Sequence, residues 1–254
     1  MQFPADLHLG SYNLSIHLLL ETFAFFIGFR YFLFLRKRQN DSINDANRVI
    51  ILIGTIAGAF VFSRILGAFE NPQTLINSPH KLLYLFANKT IVGGLLGGLI
   101  GAELTKKIIG EEKSSGDLIT YPLILAMMIG RIGCFTSGVY EETYGIETHS
   151  IFGMNLGDGM PRHPVTLYEI FFLFCLWLLL YSIEKRTLLK NGYRFKIFMI
   201  AYLTFRLFLD FIKPGDRYFF GLGTIQIACI LGLAYYGKTI FTLLRKPKLL
   251  TTND

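Results

Sequence analysis

An all-α integral membrane protein, built as a bundle of seven transmembrane helices, is the fold this sequence predicts, and three observations lead to it. Its 254 residues are 52% hydrophobic, with a mean hydropathy of +0.45. Charged residues make up 17%, below the ~25% of ordinary globular proteins, so a polar coat for a soluble domain is missing. Seven stretches approach the ~20 apolar residues that a helix needs to cross the hydrocarbon of a bilayer. Disorder, a secreted disulfide scaffold and most soluble enzymes are excluded on the same grounds. Cys134, Cys175 and Cys229 lie in apolar runs and match no metal-ligand spacing, so neither a disulfide framework, a metal nor another cofactor is expected.

The elements follow in order. Residues 1–12 hold no Lys or Arg and so lack the basic region of a cleavable signal peptide, which makes Asn13–Leu35 a retained first span. Arg48–Glu70 is the second. Lys89–Ile109 is the third, with Gly93, Gly97 and Gly101 at spacing four and Gly94 and Gly98 beside them. Such small-residue ridges serve close helix packing, or leave bare backbone for a lipid chain or headgroup to approach; both roles stay open here. Leu118–Phe135 is the fourth span. The longest loop, residues 136–163, carries Glu141, Glu142, Tyr144, His149, Asp158 and His163, and a polar loop of this length is either functional or a connector. Pro164–Ile183, Tyr193–Ile212 and Phe220–Leu244 complete the bundle, a single domain over residues 1–254 with neither repeat nor soluble appendage.

Lys and Arg in the loops orient it. One set of ends holds Arg36, Lys37, Arg38, Arg48, Lys106, Lys107, Lys113, Lys185, Arg186, Lys190, Arg194, Lys196, Lys238, Arg245, Lys246 and Lys248; the other holds Lys81, Arg162, Lys213 and Arg217, with Lys89 at its border. The first set is expected inside, which places the N-terminus outside and the C-terminus in the cytoplasm. The net charge of +7 is then largely a property of the loops, and no nucleic-acid partner is expected.

Ionisable groups inside a membrane are costly and face the bundle interior. On this topology Glu21, Arg64, Lys89, Arg131, Glu169, Arg206, Asp210 and Gln226 fall in one outer layer. Arg206 and Asp210, at i and i+4, suit a structural ion pair. As a set, three arginines and a lysine against three acids suit an anion, and arginine's fork matches phosphate. The layer reads as a site for a lipid phosphate; no GxGxxG or P-loop pattern supports a nucleotide.

Five blocks then carry a resemblance. Gly130-Arg131-Ile132-Gly133-Cys134-Phe135, followed by Gly138 and Tyr144-Gly145, resembles the Gly-Arg-Ile-Gly-Asn-Phe-x-Asn-Gly-Glu-x-x-Gly signature of the prolipoprotein diacylglyceryl transferase family. Arg162-His163-Pro164-Val165-Thr166-Leu167-Tyr168-Glu169 is similar to its Arg-His-Pro-x-Gln-Leu-Tyr-Glu block, Arg206 to Asp210 with Pro214 to its Arg-Phe-x-x-Glu element, and Gly223 to Gln226 to its Gly-x-x-Gln. Gly97 to Gly101 matches the tail of its His-Gly-Gly-Leu-x-Gly motif, and the resemblance covers the whole chain.

The resemblance implies an enzyme of the bacterial cytoplasmic membrane, with its site facing the outer leaflet. Such an enzyme transfers the diacylglyceryl group of phosphatidylglycerol to the lipobox cysteine of a preprolipoprotein and releases glycerol phosphate. Arg131 and Arg206 are implied to hold the phosphate, with Arg64 and Lys89 as helpers and Glu169 and Asp210 orienting the arginines. Gly133, Cys134, Ser137 and Gln226 occupy substrate-contacting motif positions, and Gly145 provides a turn with close backbone approach. The signature glutamate falls on Glu141 or Glu142, of which Glu142 is the catalytic candidate. The family's motif histidine falls on Leu96, its two Asn on Cys134 and Ser137, and its Gln on Thr166, so amide donors are lost. His163 or a loop glutamate is the expected replacement base. Two alternatives stand beside this reading: a paralogous transferase with another donor or acceptor, and an inert phospholipid-binding or translocating protein.

Overall fold

The computed structural model of the chain describes residues 3–9, 12–39 and 41–245; Lys246 and Lys248 of the basic set lie outside them. The described part is mostly helical. A hairpin of β1 (Asp6–Leu9) and β2 (Tyr12–Ser15), in the register Leu7 to Leu14, leads straight into α1 (Ile16–Arg38), whose first turn is capped by the Ser15 hydroxyl accepting from Leu18 N. Helix α2 (Asp45–Ala68) starts at Asn44, whose side chain accepts from Asn47 N. Two short helices, α3 (Pro72–Asn77) and α4 (Lys81–Ala87), precede α5 (Ile91–Ile109), which is capped by Thr90 and ended by Gly110 in the left-handed conformation. Then come α6 (Asp117–Ser137), α7 (Val165–Arg186), α8 (Tyr193–Leu209), α9 (Thr224–Tyr235) and α10 (Gly237–Arg245).

By length and composition α1, α2, α6 and α7 can each cross a membrane. Two bent pairs, α4 with α5 at 90° and α9 with α10 at 62°, bring the number to six when each is counted as one broken span. All seven expected stretches are helical, but not as seven equal rods. Lys89 sits in the α4–α5 bend rather than opening a continuous helix. The stretch Tyr193–Ile212 gives a helix of 17 residues, continued by a 3-10 turn over Asp210–Ile212. The last stretch breaks at Tyr236, where the backbone N–H turns back to Gly232 O and Ala234 O.

Two helix pairs frame the interior. Helices α2 and α5 meet through glycine: a Cβ on Gly97 would lie 2.4 Å from Gly58 O, and one on Gly101 would lie 2.2 Å from Gly54 O. Helices α1 and α6 meet where Gly28 faces Ala126, and where a Cβ on Gly133 would lie 3.2 Å from Leu20 Cβ. The apolar core, centred on Phe198, Tyr202, Leu203, Leu173, Leu180 and Cys229, lies among α6, α7, α8 and α9.

One end of the bundle gathers the β-hairpin, the α6–α7 loop and the start of α9. Ala5 N donates to Thr136 O, Ile146 N to Ile212 O, and the Thr224 hydroxyl to Phe69 O. The opposite end is tied by ions. Arg48, 2% exposed, donates from Nε to Asp41 Oδ2 at 2.6 Å and from Nη1 to Ser115 O at 3.0 Å. Asp117 accepts from Gly192 N and Phe195 N and so holds the start of α8. Burial pushes the Asp41 carboxyl up, but hydrogen bonds from Arg48 and Arg36 and from the Ile43 amide outweigh it and leave it below the usual carboxylate range. Arg48 is thus a buried clamp rather than a free loop charge.

Candidate active site

A cavity of about 1350 Å³ runs between the α1–α6 and α2–α5 pairs, with α8 and α9 at its back. Along α5 the two glycine ridges divide the work left open by the sequence. Gly93, Gly97 and Gly101 pack on α2, while Gly94 and Gly98 line the cavity, where a Cβ would meet nothing closer than 3.4 Å. At the flank Phe25, Ile56 and Phe60 line the cavity and are 73%, 66% and 50% exposed.

The polar groups of the cavity concentrate at the hairpin end. Arg131 on α6 and Arg206 on α8 are both buried and both form its wall. They share one carboxylate: Arg131 Nε lies 2.9 Å, and Arg206 Nη1 3.3 Å, from Oε2 of Glu169 on α7. Tyr202 Oη donates to the other oxygen at 2.6 Å. Two guanidiniums against one buried carboxylate leave a positive charge and N–H donors in excess. Asp210 contributes little to offset them. It stands 4.0 Å from Arg206 Nη2 and faces Arg217 at 3.5 Å, so the expected i, i+4 pair is the weaker partner. The site can therefore take a phosphate between two preorganised forks.

Around this pair, Arg64 lines the cavity, donates to Phe86 O at 2.5 Å and stacks over the Phe60 ring. Lys89 lines it as well, paired with Glu21. Cys134 is on the wall with its Sγ 3.8 Å from Arg131 Nη1. The α6–α7 loop sends Glu141, Glu142 and Thr143 into the cavity. Glu141 reaches His17 of α1, with Oε1 3.1 Å from Nε2. Glu142 is exposed at the mouth, where the cavity adjoins a smaller polar one of about 330 Å³ that is also lined by Tyr144, Asp210, Lys213 and Arg217.

Other expected residues are placed elsewhere. His163 does not line the cavity; its Nδ1 is 3.2 Å from Tyr168 Oη. Gly145 packs on that histidine, since a Cβ there would lie 2.6 Å from His163 O, so the close backbone approach is present. Gln226 is fully buried and braces the α8–α9 turn: its Oε1 accepts from Gly223 N and Arg217 Nη1, and its Nε2 donates to Leu207 O. Ser137 is buried outside the cavity lining, and Gly133 packs α6 on α1. Leu96, where the motif histidine falls, is turned to Gly232 and Leu203 in the core.

His17 and Lys213 are among the groups that were not singled out from the sequence as site residues, as are Tyr202 and Glu70. His17, in the first turn of α1 and four residues before Glu21, carried a signal only in that i, i+4 pairing with an intramembrane acid. Lys213 had been assigned to a loop, yet it is half-buried and lines both cavities. Burial, seconded by the Arg206 charge, holds its ammonium below the usual lysine range, against Glu70 and Asp210.

Comparison with known proteins adds the following. A family model described as prolipoprotein diacylglyceryl transferase matches residues 4–244. The phosphatidylglycerol–prolipoprotein diacylglyceryl transferase of Rickettsia felis is 32% identical over 213 residues, which cover 81% of this chain and 74% of that protein. The protein of the same name from Rickettsia conorii is 29% identical over 245 residues, 93% of this chain and 90% of that protein.

Proposed function

Because the chain belongs to the prolipoprotein diacylglyceryl transferase family, we infer that it moves a diacylglyceryl group from phosphatidylglycerol to a cysteine thiol of a prolipoprotein. The observation that carries this reading is the pair Arg131–Arg206, buried in a cavity wall and sharing one carboxylate.

The thiolate of the lipobox cysteine attacks the glycerol carbon that bears the phosphate ester. A C–S bond forms, the C–O bond breaks, and the electron pair leaves with glycerol phosphate. Charge builds on the departing phosphate, and fixed guanidiniums aimed at it stabilise the transition state more than the ground state. Arg131 and Arg206 fill that role, positioned by Glu169 and Tyr202. Arg64 and Lys89 add positive charge along the same wall. The acyl chains extend down the cavity past Gly94 and Gly98, where bare backbone leaves room.

The reading places seven spans in the bacterial cytoplasmic membrane, α8 with its 3-10 extension being the sixth and α9 with α10 the seventh. The N-terminus is outside, the C-terminus in the cytoplasm, and the arginine pair faces the outer leaflet. The sixteen basic residues at one set of ends support this orientation.

Expression in cells depleted of their own transferase tests the function. Lipidation of a lipobox reporter is expected to return, and Arg131→Ala or Arg206→Ala is expected to reduce it by about 100-fold or more at equal membrane abundance. No lipidation by well-expressed wild type rejects the function; full activity of either alanine variant rejects the phosphate assignment.

A further inference from the structure

Phosphatidylglycerol carries two arms of opposite polarity on one phosphate: the diacylglyceryl group and a glycerol with two free hydroxyls. With the phosphate between Arg131 and Arg206, the acyl arm takes the apolar cavity, and the glycerol needs a polar space beside the arginines. The cavity of about 330 Å³ offers one. Asp210 lines it and stands 4.0 Å from Arg206 Nη2, while Glu70, Glu142 and Lys213 line both cavities, so the two adjoin there.

Most charged groups around the small cavity are already engaged. Arg217 donates to Gln226 Oε1 at 2.6 Å, to Asp210 O at 2.5 Å and to Lys213 O at 3.2 Å, and lies 3.5 Å from Asp210 Oδ2. Asp216 accepts from the Tyr218 hydroxyl at 2.9 Å. Glu142 is exposed on the α6–α7 loop. Glu70 and Lys213 differ. Both are half-buried where the cavities join, yet among the described residues neither side chain makes a hydrogen bond or an ion pair, even with the other. Neither is among the fully shielded polar groups without a partner, so both tips are open to a ligand. A carboxylate only accepts and an ammonium only donates, and leaving both half-buried without hydrogen bonds is costly.

On the basis of the transferase function above, we propose that the small cavity is the subsite for the headgroup glycerol, with Glu70 and Lys213 selecting its diol. A hydroxyl both donates and accepts, so the glycerol supplies what each group lacks: an O–H donates to the Glu70 carboxylate, and a hydroxyl oxygen accepts from Lys213 Nζ. An alcohol without free hydroxyls leaves both ionised groups facing carbon. Headgroup choice is thereby made apart from Arg131 and Arg206, which hold a phosphate whatever alcohol it carries.

The test uses the whole purified protein, a lipobox peptide and two donors with the same acyl chains. One is phosphatidylglycerol; the other is phosphatidylpropanol, which has the same phosphodiester but no free hydroxyl. Wild type is expected to favour phosphatidylglycerol by about 30-fold or more in kcat/KM, the worth of hydrogen bonds to charged groups. Glu70→Ala and Lys213→Ala should each cut that preference by about fivefold or more, through slower transfer from phosphatidylglycerol alone, because a site built to bond a hydroxyl discriminates by that bond. Lys213→Arg, which keeps a charged donor, should retain most of the preference. Each variant is compared with itself on two lipids, so any loss of folded protein cancels from the ratio. The subsite is overturned by a wild type that uses both donors equally, or by alanine variants that slow both donors alike. Those results leave the function standing; wild type that transfers from neither lipid rejects the function and the subsite with it.

Discussion

At the scale of single residues, Glu169 explains why two arginines tolerate burial so close together. Its carboxylate pairs with both, accepting from Arg206 Nη1 and lying 2.9 Å from Arg131 Nε, and Tyr202 fixes its other oxygen. The sequence placed Arg131, Glu169 and Arg206 in one layer because each interrupts an apolar run at a matching depth. It could not show which acid serves which arginine, since partners on α6, α7 and α8 are set by helix rotation, and the local choice, Asp210, turned out to be the weaker one. Lys213 was misjudged for the opposite reason: it follows the last turn of its helix and so looked like a solvated loop charge. With its pKa depressed, the unfolded chain binds more protons between the folded value and the ordinary lysine value of ~10.4, so stability rises with pH across that window. Transfer should fall as pH rises through the depressed folded value, at the lower edge of that window, where the ammonium is lost from the cavity mouth. Lys213→Arg, which stays charged, is expected to extend activity to higher pH; an unchanged alkaline limb in a pH–rate profile would remove Lys213 from that role.

At the scale of elements, α5 was the most legible and the most ambiguous. Its glycine spacing announced two ridges, but periodicity cannot say what each ridge faces. In the structure one ridge is a packing surface, the other a cavity wall. The difference is measurable with one methyl group. Gly97→Ala drives a Cβ into the backbone of Gly58 and is expected to cost about 1–3 kcal/mol, the usual penalty of overpacking, read as a lower melting temperature in detergent. Gly94→Ala, whose Cβ would meet only Ser63 Cβ at 3.9 Å, should leave melting unchanged and instead affect the KM for lipid. Equal effects on melting would contradict the division of the ridges. The helix breaks were the least legible feature. Nothing in the hydropathy of residues 220–244 distinguishes a continuous span from α9 and α10 bent at Tyr236, because the bend is made by backbone hydrogen bonds and not by composition.

At the scale of the whole molecule, the apolar composition and the charge bias described a membrane bundle but not its interior space. The cavity exists because the α1–α6 and α2–α5 pairs are each closed by small residues and stand apart from one another. That separation is accompanied by contacts between residues far apart in the chain, including the Arg48–Ser115 bond and the Ala5–Thr136 bond, and neither is encoded in a local pattern. The same distance in sequence concealed His17, which meets Glu141 only after the loop folds back over α1.

Phe25, Ile56 and Phe60 line the cavity and are themselves exposed, which on the function proposed above marks a side opening toward lipid. A reactant that enters past them never leaves the bilayer plane, so the supply that matters is a mole fraction, not a bulk concentration. Diluting phosphatidylglycerol with an inert detergent at constant total amount should then slow turnover in proportion to the drop in its surface fraction. Adding detergent and lipid together at fixed ratio should leave the rate unchanged. An enzyme that drew its donor from water would show the reverse dependence.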